Sequence, residues 1–321
     1  MVATANRMVG DIGGTNTRLA LFDAHAKQLR FQRNYRNRDY GSLADIILAW
    51  LNDLSGKPPE EACLAVAAPP FDDEVQLLNI DWRFSPRELA RQFGFSRFGC
   101  INDFEGNAYA LPHLTAHELV TLQVGKPALH RRLATLGPGT GLGGATLDTR
   151  GPEPIACASE PGHMGLTPAT ALEFALFERL RGESGEVYAE RLLCGPGLLR
   201  LYQVLARERR IDAPLQTPEA ISAQGLRGEC LLCAETLQLF CGLLGSACGD
   251  FVLANGAYGG LYLAGGILPT MTNFLRESTF SRRFTAKGKM TQHLSDVPVY
   301  IVCGDSIGLV GAAHAPIYQD A

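Results

Sequence analysis

Two short segments carry residues whose types and spacing could handle phosphate. VGDIGGTNTRLALFD (Val9 to Asp23) and ATLGPGTGLGGATLD (Ala134 to Asp148) each read as an apolar run, a tight turn of Gly with Thr or Asn, and a second run closing on Asp. Glycine permits positive φ and leaves room for phosphate oxygens beside backbone N–H groups, so such a turn can cradle a phosphate. Two of them imply two related halves facing one nucleotide. The second loop also satisfies G-x-G-x-x-G at Gly139, Gly141 and Gly144. A dinucleotide-binding turn must open a helix, whereas GGATLDT has the composition of a returning strand, so the pattern predicts a β-hairpin.

A third string, FGCIND, reads as a buried strand that delivers Asn102 and Asp103 to its end. A carboxylate held there can accept a proton from a reacting hydroxyl, or it can cap a helix over FEGNAYALP. Glu160 and His163 flank Pro161 and Gly162 in a non-helical turn, while Glu190 lies in AERLL, which also fits an ordinary amphipathic helix.

The elements that must position these residues alternate. After the first hairpin comes a strand near Phe31 to Tyr35, then a helix over Ser42 to Leu54 with Leu43, Ile46, Ile47 and Trp50 on one face and Ser42 as N-cap. ACLAVAAP (Ala62 to Pro69) is a continuous apolar run, as a buried parallel strand requires. Ser85, Pro86 and Glu88 form a capping-box pattern that starts a helix. Beyond Pro112 the second hairpin is followed by long helices near 168–182, 196–210 and 229–254, a strand in GLYLAGGILP, a strand in VPVYIVCGD and a small-residue terminal helix. Strands alternating with helices, twice over, predict an α/β protein of two lobes with a cleft between them. We expect a small α/β domain over 1–112, completed by a C-terminal helix within 304–321, and a large one over 113–303.

Composition narrows the function classes. The chain has 321 residues, 29 Lys plus Arg against 33 Asp plus Glu, and a net charge of -4. No basic stripe interleaved with aromatics is visible, which argues against a nucleic-acid partner. The N-terminal residues carry no apolar core segment, and the most apolar later stretch is broken by Asp250 and Asn255, so no signal peptide or membrane span is expected. Nine scattered cysteines, mostly among apolar residues, read as reduced core thiols of a cytoplasmic protein. Cys230 and Cys233 form a C-x-x-C inside a helical pattern, with helix packing as its reading.

With DIGGTNTR, IND, EPGH, AERLLCGPG and LAGGILP in this order, the chain resembles, over nearly its full length, the bacterial glucokinases of the hexokinase, actin and heat-shock ATPase superfamily. The resemblance implies a two-lobed, ribonuclease H-like fold with duplicated α/β domains, ATP-dependent phosphorylation of the glucose 6-hydroxyl, Mg²⁺ as cofactor, and a homodimer. It implies that Asp103 is the catalytic base and that Asn79, Asn102, Asp103, Glu160, His163 and Glu190 contact the sugar. On the nucleotide side it implies a first loop of Gly10, Asp11, Ile12, Gly13, Gly14, Thr15 and Asn16, and a second of Gly139, Thr140 and Gly141. Gly265 and Gly266 would lie against adenosine, and Asp11 would hold Mg²⁺ through water.

The repressor-type sugar kinases carry a cysteine-rich zinc knot after the sugar motif; here Met164, Gly165, Leu166 and Thr167 follow His163, so no structural zinc is expected. Pro161 stands where the family often has Gly, Asp81 replaces a frequent His, and Gly106 with Asn107 follow Asp103 where small apolar residues are usual. These departures bear on sugar choice more than on phosphoryl transfer. The rival readings are a kinase for another hexose or an amino sugar, and a non-catalytic sugar sensor on the same fold.

Overall fold

In the computed structural model, which describes residues 6–68, 74–77, 80–126, 131–304 and 306–317, both glycine-rich segments fold as antiparallel hairpins. Contacts divide the chain into two units. One comprises Met1–Leu114, Gly151–Ala158 and Gly304–Ala321; the other comprises Thr115–Arg150 and Ser159–Cys303.

In the first unit, β1 (Arg7–Ile12) runs antiparallel to β2 (Asn16–Asp23), which pairs with β3 (Gln28–Arg36). Helix α1 (Leu43–Asp53) begins where the Ser42 side chain accepts from Asp45 N–H, and it buries Leu43, Ile46, Ile47 and Trp50. β4 (Glu61–Val66) lies parallel to β1 and is buried at every position, as expected of a central strand covered on both faces. A small ribbon of β5 (Val75–Gln76) and β6 (Arg83–Phe84) precedes α2 (Pro86–Phe93). There Ser85 Oγ accepts from Glu88 N–H at 3.3 Å, the predicted half of the capping pattern that starts the helix. β7 (Arg97–Asn102) completes the order β3-β2-β1-β4-β7 and runs parallel to β4; α3 (Asp103–Ala110) follows it directly.

In the second unit, β8 (Leu119–Gln123) precedes the hairpin of β9 (Leu133–Pro138) and β10 (Leu142–Asp148); β11 (Ile155–Ser159), which groups with the first unit up to Ala158, leads into the turn that holds Glu160 and His163. Four helices come next: α4 (Ala171–Ser184), the single turn α5 (Ala189–Leu192), α6 (Gly195–Arg209) and α7 (Pro218–Leu226). α8 (Leu231–Asn255) precedes β12 (Gly260–Leu263), and the short helices α9 (Thr272–Glu277), α10 (Phe280–Thr285) and α11 (Thr291–Ser295) lead to β13 (Val299–Val302). The strands run β10-β9-β12-β13-β8. Thus β2-β1-β4-β7 and β10-β9-β12-β13 repeat one plan: an antiparallel hairpin, then two parallel additions. This is the duplicated α/β architecture that the paired glycine loops predicted.

The long helix α8 is apolar enough, at a mean hydropathy of 1.6, to cross a membrane by length and composition, but 67% of that window is buried in the protein. Its apolarity is that of a core helix, with Leu237, Phe240, Leu244, Phe251 and Val252 in the largest hydrophobic cluster. The chain ends in α12 (Ile307–His314), back in the first unit. Gly311 has no room for a Cβ against the Gly106 carbonyl, so Gly311 is the residue that lets α12 touch α3. The fully buried Arg7 reaches Glu61 at 3.1 Å and the Ala315 carbonyl at 2.8 Å, fastening the end of α12 to the sheet. Removing one partner of such a buried pair costs about 3–5 kcal/mol.

Cys63, Cys194, Cys233, Cys241 and Cys248 are buried, whereas Cys157 and Cys303 are exposed and depart from the core-thiol expectation. The Cys230 thiol caps α8 by accepting from Cys233 N–H at 3.3 Å.

Candidate active site

The parallel strands of the first unit end level with one another. Ile12 pairs with Val66 and Val66 with Asn102, so the first glycine loop and Asp103 leave the sheet at the same carboxyl edge. At a strand spacing of about 4.8 Å, they stand two strands, or about 10 Å, apart. Ligands in open α/β sheets bind along this edge.

Within that loop Gly13 N–H donates to the Asn16 carbonyl at 3.0 Å. A residue that the sequence did not single out braces it: buried Asn37 donates from Nδ2 to the Gly13 carbonyl at 2.8 Å and accepts from Thr17 Oγ1 at 2.9 Å. Its backbone N–H donates to the Thr15 carbonyl at 3.0 Å. Gly10 and Ile12 are buried in β1, Gly14 is half-buried, and Thr15 and Asn16 are exposed at the turn. Asp11 keeps 26% of its side chain exposed and pairs with Arg18 at 3.3 Å. Burial pushes its carboxyl above the usual range, with the Arg18 guanidinium pulling partly back. α12 approaches Asp11 through Gly308, where a Cβ would fall 2.9 Å from the Asp11 carboxyl carbon.

At the β7–α3 corner the capping role does not fall to Asp103. The N-cap is Asn102: its Oδ1 accepts from Phe104 N–H at 2.9 Å, and its own N–H donates to Glu105 Oε2 at 3.0 Å. Asn102 Nδ2 also donates to the Ala68 carbonyl at 2.9 Å. Asp103 is the first residue of the helix, half-buried, with its Oδ1 accepting from Phe104 N–H at 2.9 Å. A carboxylate in the first helical turn faces the positive end of the helix dipole. Asn79 lies outside the described residues.

In the second unit the other glycine loop is closed by Gly139 N–H donating to the Gly141 carbonyl at 2.8 Å and anchored by Gly195 N–H on the Gly139 carbonyl at 2.9 Å. Thr140 is exposed at its tip. Gly265, at φ 93, lies so close to β9 that a Cβ would come 2.5 Å from the Pro138 carbonyl, so both backbone conformation and space demand glycine. Gly139, Thr140 and Gly266 border a cavity of about 650 Å³ that also meets Pro196 of α6 and Ser222 of α7. That volume suits a nucleoside-sized ligand. α7 carried no signal in the sequence, since PEAISAQGL offers little helical periodicity.

The Glu160–His163 turn, expected to be non-helical, is instead a single 3₁₀ turn over Pro161–His163, with Glu160 and His163 exposed. The His163 ring stacks on Tyr188, 5.5 Å between centroids and 10° from parallel. Tyr188 carried no signal in the sequence beyond its place two residues before Glu190. Glu190 does more than the expected sugar contact requires: its Oε2 accepts from Leu142 N–H at 2.7 Å. Hence the structure groups Asp11, the first loop, Asn102 and Asp103 in one unit, and the second loop, Gly265, Gly266, Glu160, His163 and Glu190 in the other.

The sequence model of the glucokinase family matches residues 8–317. A glucokinase of Chromohalobacter salexigens is 40% identical over 312 residues, covering 97% of this chain and 98% of its own. The crystal structure of a glucokinase from an Antarctic psychrotroph superposes with a TM-score of 0.89 at 40% identity, covering 96% of this chain and 97% of that one. A ROK family glucokinase from Streptomyces griseus, in complex with glucose and AMPPNP, has a TM-score of 0.62 at 18% identity over 96% of this chain and 98% of that chain, a likeness of fold.

Proposed function

The chain belongs to the glucokinase family, and from that premise we infer that it transfers the γ-phosphoryl group of ATP to the 6-hydroxyl of glucose, giving glucose 6-phosphate. The observation that carries this reading is the level ending of β1, β4 and β7, which brings a phosphate loop and a carboxylate to one edge of the sheet.

Transfer to an alcohol asks the protein for positioning, charge neutralisation and a proton acceptor. Asp103 accepts the proton of the 6-hydroxyl as that oxygen bonds to the γ-phosphorus and the bond to the β-phosphate oxygen breaks. Asn102 fixes the corner from which Asp103 projects by three hydrogen bonds. Glu160, His163, Glu190, Asn102 and Asn79 hold the sugar hydroxyls, each of which both donates and accepts. Backbone N–H groups of Gly14, Thr15 and Asn16 and of Thr140 and Gly141 receive the phosphates, those of Gly13 and Gly139 closing the two loops, and the cavity beside Gly266 receives adenosine. Asp11 suits a hard cation as an oxygen donor at the base of a phosphate loop, its carboxyl pushed up by burial and pulled partly back by Arg18. When bound, Mg²⁺ supplies charge neutralisation at the phosphate oxygens, held by Asp11 through water. The same reading carries a cytoplasmic homodimer that feeds glycolysis, and sedimentation velocity tests the dimer.

A coupled assay of ATP-dependent 6-phosphate formation across glucose, mannose, fructose and N-acetylglucosamine tests the function. The expected result is preferred turnover of glucose. Turnover confined to another sugar keeps the mechanism and replaces the substrate; sugar binding without turnover points to the sensor.

A further inference from the structure

The Glu190 carboxylate is wedged between two loops that sequence motifs treat as separate. On one side Oε2 accepts from Leu142 N–H at 2.7 Å, immediately after the second phosphate loop. A Cβ on Gly141 would fall 2.5 Å from Oε2, so glycine at that position is what admits the carboxylate. On the other side is the sugar turn, where a Cβ on Gly162 would come 3.2 Å from Glu190 Oε2 and 2.6 Å from the Leu142 carbonyl. The backbone around Glu190 is fastened at both ends: Ala189 N–H donates to the Met164 carbonyl at 2.8 Å, and Gly195 N–H donates to the Gly139 carbonyl at 2.9 Å. The Cys194 thiol donates to the Glu190 carbonyl at 2.9 Å, closing the α5–α6 junction.

A carboxylate has two oxygens with about four acceptor sites between them. With Oε2 on the phosphate loop, Oε1 remains for a sugar hydroxyl. We propose that Glu190 is a positioning residue that ties the sugar subsite to the second phosphate loop, so that bound glucose fixes the loop in its nucleotide-binding form and bound nucleotide strengthens the grip on glucose. This rests on the sugar contact given to Glu190 under the proposed function. A bond that is strengthened by ordering one end lowers the cost of ordering the other, and linkage makes the effect reciprocal.

The test measures the dissociation constant of AMPPNP, with Mg²⁺, in the absence and presence of saturating glucose. In the native chain glucose should tighten AMPPNP about tenfold, within the usual span of such couplings. Glu190→Ala should bring the ratio close to one. Glu190→Gln should weaken glucose binding yet retain most of the ratio, because its amide oxygen still accepts from Leu142 N–H. Gly141→Ala should collapse the ratio with Glu190 present, since the added methyl displaces the carboxylate. A native ratio retained in Glu190→Ala, or a ratio of one in a native chain that phosphorylates glucose, overturns the proposal and leaves the functional reading standing. A native chain that phosphorylates no glucose overturns the functional reading and the linkage with it.

Discussion

The two glycine loops share a hairpin and a strand order but are held by different chemistry. The first is braced by a neighbouring amide, Asn37, and has an acid and a base, Asp11 and Arg18, at its foot. The turn of the second, Gly139 to Gly141, carries no charge of its own; a carboxylate reaches it from α5, and the cavity beside it is bordered by Pro196, Leu198, Leu226 and Ile267 as well as by polar groups. Duplication therefore supplies the backbone cradle twice, while a few side chains at its foot divide the work. On the proposed function, the first loop handles charge and the second holds a nucleoside.

Substitutions at the two loops should then fail in different ways. Among the loop substitutions the largest effect is expected for Asp11→Asn, which should lower kcat on the order of 10²-fold and raise the Mg²⁺ concentration needed for half-maximal activity. A native Mg²⁺ dependence in that variant would remove charge handling from the first loop. Gly265→Ala forces a side chain into a left-handed conformation against Pro138 and should raise the KM for ATP about tenfold, with kcat within about twofold of native. An equal loss in kcat would show that the second loop is more than a binding element. Asn37→Ala should cost about 1–3 kcal/mol of stability by leaving loop groups unpaired, read as a lower urea midpoint.

The smallest effect separates the units by pH. In the first unit His113 and His314 stack with ring centres 3.4 Å apart. Burial lowers both pKa values, and burial together with His113 brings His314 down to about 4 from its ordinary 6.5. Both are neutral when folded at neutral pH and take up protons more readily when unfolded, so the stability they sustain is complete above pH 6.5 and is lost as pH falls toward about 4. Urea midpoints should drop between pH 7 and pH 5, and His314→Gln should flatten that drop; an equal slope in the variant would dismiss the pair.

Much of this was legible in the sequence because it is local. Alternation and glycine placement identified both hairpins, and apolar spacing identified α1 with its Ser42 cap. The duplicated plan followed from reading the second loop as a hairpin instead of a strand–helix turn. What the sequence hid is non-local. Asn37 meets Gly13 across 24 residues, and Glu190 meets Leu142 across 48, with no periodicity to announce either contact. The cap of α3 was hidden differently: Asn102 and Asp103 are both good capping residues, and only the backbone at their junction assigns the cap to Asn102 and leaves Asp103 in the first turn.

The central claim is that Asp103 takes the proton from the sugar hydroxyl. Rapid-quench measurement of single-turnover phosphoryl transfer to glucose by Asp103→Asn, with the glucose dissociation constant determined on the same preparation, tests it most directly. The account predicts transfer slowed about 10²- to 10⁴-fold with glucose still bound. Transfer at the native rate would contradict it and leave the first unit without its base.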